Sequence, residues 1–301
     1  MKGLLMATSA FANLKGGVGK TLVTLGTAHA AVAAGRRILV VDCDPQVGVT
    51  AQLTDFTPDR PAPVSLADVL DRNNPAPIDD AVIKTRRPGI DLLPSGFDEL
   101  QAVQDALFGR PGAENSLARV LQPVAHQWDH IFIDTRPATD LITRNAFMAA
   151  DSLVIVLEAE VPAIRGADST MRTVGELEEY LSKYLPVAGW VLNRVNFSRK
   201  DHLDWLDQIC QLAIDDEVAL LGEPIPLMAD LARLAVVGMG LDEHPRPTAR
   251  IRNLAANFKT ILDGIEHPLT QEECLQAAAR VQRQVRELAT NRWQDAARTS
   301  A

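Results

Sequence analysis

The segment ANLKGGVGKTLVT, residues 12–24, decides the fold class of this 301-residue chain. Its GKT triplet, residues 19–21, matches the end of the phosphate-binding pattern G-x-x-x-x-G-K-[ST]. Leu14, however, stands where that pattern has its first glycine, and an extra lysine, Lys15, precedes the two glycines that follow. We therefore predict a phosphate loop of an unusual kind, in which the second lysine requires an explanation.

Short apolar segments recur along the chain, and each ends at a polar or turn residue. They cover residues 37–45, 89–96, 130–135, 152–160 and 187–194. Apolar and polar residues do not alternate in them, which is typical of strands buried on both faces of a parallel sheet. Helical patterns lie between them, and the first spans residues 20–34 before Gly35. This order predicts a doubly wound, mostly parallel α/β sheet flanked by helices.

Composition excludes several classes of protein. The hydrophobic fraction of 47% is ample for a core, and no stretch reaches the roughly 18 uncharged apolar residues that a membrane span needs. The apolar start of the chain leads directly into the phosphate loop, so we interpret it as a first strand of a cytoplasmic protein and not as a signal peptide. Cys43, Cys210 and Cys274 lack C-x-x-C spacing, which argues against disulfide, zinc and iron–sulfur scaffolds.

The glycines at positions 16, 17 and 19 carry the first chemical prediction. They allow backbone N–H groups to surround a polyphosphate at the N-terminus of the following helix, where the helix dipole adds partial positive charge. Lys20 can reach the β and γ phosphates, and the hydroxyl of Thr21 can bind Mg²⁺. The loop therefore predicts nucleotide binding.

Aspartates close two of the predicted strands. Asp42 and Asp44 are two residues apart and share one face at the carboxyl edge of the sheet, and Asp134 reaches the same edge. One carboxylate can hold Mg²⁺ through its water shell while another orients the attacking water. A single aspartate here could be a turn residue, but three beside a phosphate loop favour phosphoryl transfer.

Four segments together resemble the ParA/MinD group of deviant Walker ATPases, and most of all its ParA partition branch. They are KGGVGKT at residues 15–21, VVDCDPQ at 40–46, HIFIDTRPATDLITRNAFMAAD at 130–151 and VLNRVN at 191–196. Similarity in order and spacing covers roughly residues 5–262. The resemblance implies a P-loop ATPase domain over residues 1–263. It also implies an answer for Lys15, which in this family reaches across an ATP-sandwiched homodimer to the partner's nucleotide.

The resemblance also implies the roles of individual residues, with ATP and Mg²⁺ as cofactors. The ATP-binding residues are Lys15, Gly16, Gly17, Val18, Gly19, Lys20, Thr21, Leu22, Asn193 and Pro226. The catalytic residues are Lys15, Lys20 and Asp44, with Asp44 orienting water, and the metal-site residues are Thr21, Asp42 and Asp134. Asn193 and Pro226 match positions that contact adenine, although an asparagine that closes a strand can equally be a turn residue. Residues 160–174 resemble a helix-leading loop that lines the dimer interface.

Four departures from the family pattern bear on these roles. Leu22 replaces a second hydroxyl residue, and Val47-Gly48 replaces the common Gly-Asn. Arg136 takes a position usually held by proline, where it either adds a cation near the nucleotide or forms a surface ion pair. Leu227 stands where relatives have an arginine that helps to bind DNA, which weakens the expectation of DNA binding.

Any DNA contact has to come from a local basic patch, because the net charge is −9. The candidates lie in the last third of the chain: Arg194, Arg199, Lys200, Arg233, Arg246, Arg250 and Arg252. Of these we select Arg199, Lys200, Arg233 and Arg250 as the predicted DNA-binding residues. The alternative is that all are ordinary solvated side chains.

Residues 264–301 are predicted to form a helical extension. Thr270 and Glu273 make a capping box, and apolar side chains then share one stripe of an amphipathic helix, at Ala278, Val281, Val285 and Leu288. The helix either packs on the ATPase domain or binds a partner. It is rich in alanine and glutamine and poor in the large apolar residues of a membrane-binding helix, which disfavours a MinD-like membrane-surface ATPase.

The function that the resemblance implies is ATP-driven partition or positioning of a cargo. ATP closes a homodimer, the dimer binds nucleoid DNA without sequence preference, and a ParB-like protein or cargo adaptor stimulates slow hydrolysis. The cargo is a plasmid, a chromosome or a protein assembly such as a microcompartment. Iron-protein reductases and cluster-assembly ATPases on a similar scaffold need paired cysteines, and related tyrosine kinases carry a tyrosine cluster, neither of which this sequence has. A small-molecule kinase or ligase stays an alternative, but it leaves Lys15 without a role.

Overall fold

The core of the fold is a seven-stranded sheet in a computed structural model that describes residues 7–228, 231, 234 and 238–299, with side chains as far as residue 290. The strands are β1 (Ala7–Ala12), β2 (Ile38–Cys43), β3 (Ile83–Lys84), β4 (Ile90–Leu93), β5 (His130–Thr135), β6 (Ser152–Glu158) and β7 (Val187–Asn193). Their order is β3-β4-β2-β5-β1-β6-β7. All neighbouring strands run parallel except β3, which is antiparallel to β4.

Helices connect these strands and cover the sheet. They are α1 (Lys20–Ala33), α2 (Gly48–Leu53), α3 (Leu66–Leu70), α4 (Ile78–Ala81), α5 (Asp98–Leu107), α6 (Ser116–Leu121), α7 (Leu141–Ala149), α8 (Val161–Leu181), α9 (Lys200–Asp215), α10 (Ala249–Glu266) and α11 (Gln271–Thr299). Short 3₁₀ turns cover Ala113–Asn115, Ala125–Gln127 and Leu241–Glu243. The predicted doubly wound fold is confirmed.

Continuous apolar strands explain why the sheet was predictable. Every residue of β2 and β5 is buried, because parallel strands between two layers of helices have no solvent face. All five predicted segments contain a strand, with ends that differ by up to three residues. The sequence patterns did not predict β3, which has only two residues.

Two helical predictions need correction. Residues 160–174 are not a loop, because α8 begins at Val161, with Pro162 in its first turn, where a missing N–H costs nothing. Residues 115–128, NSLARVLQPVAHQW, begin with Asn-Ser and have the apolar spacing of a helix, but α6 ends at Leu121. By contrast, α1 ends at Ala33 close to the predicted position, and Gly35 follows it in the left-handed conformation with φ 82°.

The C-terminal helix α11 packs against α9. Its capping box is confirmed, since the Thr270 N–H donates to Glu273 Oε2 at 2.8 Å. Of the predicted stripe, the three side chains Ala278, Val281 and Val285 are buried, whereas Leu288 is 42% exposed. Preceding α11, α10 continues to Glu266, so a division of the chain after residue 263 would fall inside a helix. The separation into residues 1–263 and 264–301 stays a prediction.

The carboxyl ends of the central strands bring the site residues together. Asp42 at the end of β2 pairs in register with Asp134 at the end of β5. The strands β1, β6 and β7 reach the same edge, ending just before Asn13, at Glu158 and at Asn193. In the part of the chain that the structure describes, no helix combines the length and apolar character needed to cross a membrane.

Candidate nucleotide-binding site

The phosphate loop lies between β1 and α1 and has the backbone that a polyphosphate requires. Gly17 and Gly19 adopt left-handed conformations with φ 83° and 86°. A Cβ built on Gly19 would lie 2.2 Å from Asn193 Nδ2, so only glycine fits there. Gly19 also precedes the first turn of α1 and offers no side-chain cap, which leaves the amides of that turn to a ligand.

Lys20 is held at the centre of the loop. Its side chain is buried, with a relative exposure of 7%, and Nζ donates to the carbonyl oxygen of Asn13 at 3.1 Å. Burial lowers the pKa of Lys20, while the charges of Asp134 and Asp44 act in the opposite direction. A buried ammonium group that donates only to a carbonyl oxygen is prepared for an anionic ligand.

Thr21, Asp42 and Asp134 form the predicted metal side of the site. Thr21 Oγ1 donates to Asp134 Oδ2 at 2.6 Å, and Thr24 Oγ1 donates to Asp134 Oδ1 at 3.2 Å. Asp42 Oδ2 accepts from both the N–H and the hydroxyl of Thr50, at 2.8 and 2.7 Å. These bonds fix Asp134 next to the hydroxyl of Thr21, and strand pairing places Asp42 beside Asp134.

Both carboxylates are fully buried, and this raises their pKa values. Burial raises the pKa of Asp42 to about 6. Burial, followed by the nearby charge of Asp42, raises the pKa of Asp134 to about 7. A bound divalent cation would favour the ionised forms, because opposite charge lowers the pKa of a carboxyl group. Oxygen ligands of this kind suit Mg²⁺, so the donor set fits the predicted metal.

Asp44 lies in the turn that follows β2, on the same side as the phosphate loop. Its N–H donates to Asp42 Oδ1 at 3.2 Å, and its Oδ1 accepts from the N–H of Gln46 at 2.9 Å. The turn continues through Val47, which has a left-handed backbone with φ 53°. A Cβ built on Gly48 would lie 3.0 Å from Thr21 Oγ1, so this turn approaches the metal side of the site closely.

The second lysine of the loop, Lys15, contacts two carboxylates of its own chain. Its Nζ lies 3.0 Å from Glu158 Oε2 and 2.9 Å from Glu160 Oε2. Burial opposes the charge of Lys15, but hydrogen bonds to Glu160 and Glu158 outweigh it and raise the pKa. Lys15 is therefore a cation that two carboxylates hold at the rim of the loop.

The predicted adenine side is also assembled at this edge. Asn193 Nδ2 donates to the carbonyl oxygen of Val18 at 2.8 Å, while its buried Oδ1 has no hydrogen-bond partner among the described residues. Pro226 is placed beside the end of β7 by a bridge to Val195. The unpaired Oδ1 of Asn193, beside the loop, fits a base that offers a donor. Leu22, another predicted ATP-binding residue, lines an apolar cavity between α1 and α10.

The predicted DNA-binding residues are placed as follows. Arg199 and Lys200 are exposed at the start of α9, and Arg199 pairs with Asp201. Arg250 is exposed in the first turn of α10. Arg233 lies outside the described residues. Their assembly into one patch stays a prediction.

Arg136 forms an ion pair, and whether it also adds a cation near the nucleotide stays a prediction. Its Nη1 lies 3.0 Å from Asp140 Oδ2 and donates to Gln101 Oε1 at 2.8 Å. Asp140 is also the N-cap of α7, accepting from the N–H of Thr143. Arg136 is thus paired with a carboxylate four residues later in the chain.

Several residues of the site were missed by the sequence interpretation. Asn13, Glu158, Glu160 and Gly166 all contact the phosphate loop. The signal for the glutamates was present, since two acidic residues at alternate positions close a strand at the ligand edge. Their partner, Lys15, lies 143 residues earlier than Glu158, so the contact itself could not be derived from local pattern.

A doubly wound sheet with a lysine-containing glycine loop at the carboxyl edge of its first strand defines a P-loop nucleotide-binding protein. The model of the AAA_31 family, described as an AAA domain, matches residues 6–187. The chain belongs to this family, which is of the ParA/MinD type.

Relatives of known sequence support that assignment. The chromosome partitioning protein ParA of Caulobacter vibrioides is 34% identical over 61% of this chain and 67% of its own length. The sporulation initiation inhibitor protein Soj of Bacillus subtilis is 31% identical over 62% of this chain and 72% of its own length. An uncharacterised protein of Mycobacterium tuberculosis is 35% identical over 62% of this chain, which spans only 57% of that protein.

Solved structures share the fold. A cobyrinic acid a,c-diamide synthase of Mycobacterium smegmatis, crystallised with an ATP analogue and magnesium, has a TM-score of 0.66 and 30% identity over 77% of this chain and 92% of its own. A single-residue variant of McdA from Cyanothece, in complex with ATP, has a TM-score of 0.76 over 89% of this chain and 99% of its own. The McdA identity of 22% supports the fold alone.

Proposed function

We propose that this protein is an ATP-dependent partition or positioning ATPase. Its ATP-bound form is a homodimer that binds DNA without sequence preference, and a ParB-like or adaptor protein stimulates hydrolysis. The observation that carries the proposal is Lys15, a second lysine in a loop that already has Lys20 at the lysine position of the phosphate-binding pattern. The relative named chromosome partitioning protein ParA supports the same class.

The residues of one subunit divide the work. Amides of the loop, together with Lys20, would hold the phosphates, and Thr21 with Asp42 and Asp134 would hold Mg²⁺. Bound magnesium would offset charge on the phosphates. Asp44, placed beside Asp42 by its N–H, would orient the attacking water.

Each subunit would also supply a contact to its own adenine base and a cation for the second subunit. Asn193 would accept a hydrogen bond from the adenine amino group through its unpaired Oδ1. Lys15, at the rim of the loop, would extend to the nucleotide of the second subunit. ATP then acts as a switch between monomer and dimer, because the complete site needs residues of two chains and exists only in the closed dimer.

DNA binding with different nucleotides tests the proposal. The protein is titrated onto fluorescent duplexes of two unrelated sequences with ADP, with a non-hydrolysable ATP analogue, and without nucleotide, always with Mg²⁺. We expect equal binding to both duplexes with the analogue only, weakening steeply as salt rises because phosphate contacts release counterions. Equal binding with ADP, or no binding with the analogue, would contradict the DNA part of the proposal.

A second candidate is suggested by the match to a cobyrinic acid a,c-diamide synthase at 30% identity. In that case ATP would activate a carboxylic acid for amide formation. The same protein preparation distinguishes the two: ATP consumption that requires a carboxylic acid and an ammonia donor supports the synthase, whereas consumption stimulated by DNA and an adaptor supports partition.

A further inference from the structure

Two carboxylates at the end of β6 hold Lys15 within its own subunit. The strand ends at Glu158, and Glu160 follows two residues later, so both side chains leave the same face and reach Lys15 Nζ at 3.0 and 2.9 Å. The hydrogen bond to Lys15 lowers the pKa of Glu160 in turn. Lys15 is thus charged and paired with carboxylates of its own subunit.

Glu158 contacts a second cation with its other oxygen. Arg194 Nε lies 3.5 Å from Glu158 Oε1, and Arg194 directly follows Asn193 at the end of β7. Its side chain lies against the phosphate loop, since a Cβ built on Gly19 would be 3.7 Å from Arg194 Cδ. Glu158 itself is 13% exposed. One carboxylate therefore joins two cations that flank the loop from different strands.

A lysine cannot hold these carboxylates and also extend to a nucleotide in another chain. We infer that Glu158 is a positioning residue that retains Lys15 and Arg194 within one subunit and so opposes dimer closure until phosphate charge competes for them. The inference rests on the proposed function, because it requires that Lys15 crosses to a second subunit. It adds that the free subunit contains its own restraint on that step.

Partial burial suits Lys15 and Glu158 to restrain dimer closure. Lys15 and Glu158 are partly buried, so their attraction is screened less than that of an exposed pair. A triphosphate brings more negative charge than Glu158 and Glu160 together can offer, so the cations move when nucleotide is bound. Glu160 is 39% exposed against 13% for Glu158, so solvent screens its attraction to Lys15 more and makes it the weaker part of the restraint.

Glu158→Gln tests the inference, since glutamine keeps the shape and removes the charge. Sedimentation velocity with Mg²⁺ and increasing non-hydrolysable ATP analogue gives the concentration at which half of the protein is dimeric. We expect the variant to need roughly two- to fivefold less analogue, the effect of losing one such ion pair. Glu223→Gln is the matched control, because Glu223 pairs with Arg280 on α11 and its loss changes the net charge equally.

Further variants separate the possible outcomes. Glu160→Gln should shift the midpoint in the same direction by less, and Lys15→Gln/Glu158→Gln should not dimerise at all. A Glu158→Gln variant that melts like the wild type but needs as much analogue, or more, overturns the inference. If the wild type never dimerises with the analogue, the proposed function itself fails. If the double variant gains as much as Glu158→Gln alone, Lys15 is not the restrained group.

Discussion

Gly166 of α8 and Asn13 of the phosphate loop are in direct contact: a Cβ built on Gly166 would lie 2.1 Å from Asn13 Oδ1. That oxygen accepts from the N–H of Lys15 at 2.8 Å, and Asn13 Nδ2 donates to the carbonyl oxygens of Val156 and Ala163. The start of the phosphate loop is therefore fixed to β6 and to the first turn of α8.

Replacing Gly166 with alanine should displace the loop. The new methyl group would also lie 2.8 Å from the backbone nitrogen of Lys15, so we expect the free energy of unfolding to fall by about 1–3 kcal/mol. Affinity for a fluorescent ATP analogue should fall with it. Gly175→Ala on the same helix is the control: nothing lies within 4 Å of its Cβ, and helix propensity predicts a gain of about 0.5–1 kcal/mol. Equal behaviour of the two variants in urea titrations would contradict the role of Gly166.

Val47 should be replaceable by glycine with a gain in stability. It is a β-branched residue with a left-handed backbone, φ 53° and ψ 36°, a conformation that costs L-residues about 1–2 kcal/mol. Val47→Gly should therefore raise the free energy of unfolding by about 1 kcal/mol. Val47→Ala loses the same side-chain contacts and keeps the backbone cost, so it should be less stable than Val47→Gly. The opposite order in thermal unfolding would show that side-chain contacts, and not the backbone conformation, determine stability at position 47.

Asp134→Asn should stabilise the metal-free protein at pH 8 while removing its response to Mg²⁺. The pKa of Asp134 is raised to about 7, so ionising it in the folded state is unfavourable. Its contribution to stability is complete below the unfolded pKa near ~4 and is lost as pH rises to about 7. We expect a gain of about 2–4 kcal/mol at pH 8 that shrinks toward pH 5, measured by urea denaturation. Asp216→Asn, at an exposed position, is the control for the loss of one carboxylate charge.

Strands that end in aspartate were the most predictable part of the molecule. β2 and β5 are continuous apolar segments, so burial on both faces and the position of Asp42 and Asp134 follow from the sequence. The ends of the strands were less certain, because they depend on where a neighbour stops pairing. β3 was missed, since a two-residue strand exists only through its pairing with β4.

Tertiary contacts account for the rest of what was missed. The resemblance implied a loop at residues 160–174, yet all but the first of these residues lie in α8, where proline is tolerated in the first turn and Gly166 is needed where the helix meets Asn13. Likewise, Leu288 fits the apolar stripe of α11 but is 42% exposed. Periodicity gives the face of a helix but not how completely a neighbour covers that face.

Lys15→Gln should separate nucleotide binding from dimerisation. Lys20 and the loop amides remain, so the monomer should keep its affinity for the ATP analogue within roughly threefold, because a charge at the rim of the loop contributes little. Dimerisation with the analogue should be lost, because no cation reaches the second nucleotide. Lys259→Gln, which removes an exposed lysine paired with Asp263, is the matched control in sedimentation velocity. Undiminished dimerisation of Lys15→Gln would reject the cross-subunit role.

Asp44→Ala should block hydrolysis while leaving the fold and the ATP-bound dimer in place. The Asp44 N–H that bonds Asp42 survives the substitution, and the side-chain bond to the N–H of Gln46 is the one lost among the described residues. Phosphate release should fall roughly a hundredfold or more, the usual cost of removing a group that positions or deprotonates the nucleophile. The dimer should persist after ATP is added, whereas the wild type returns to monomer as ATP is consumed. Asp59→Ala, an exposed aspartate beyond α2, controls for charge. A variant that releases phosphate at the wild-type rate would show that another group orients the water.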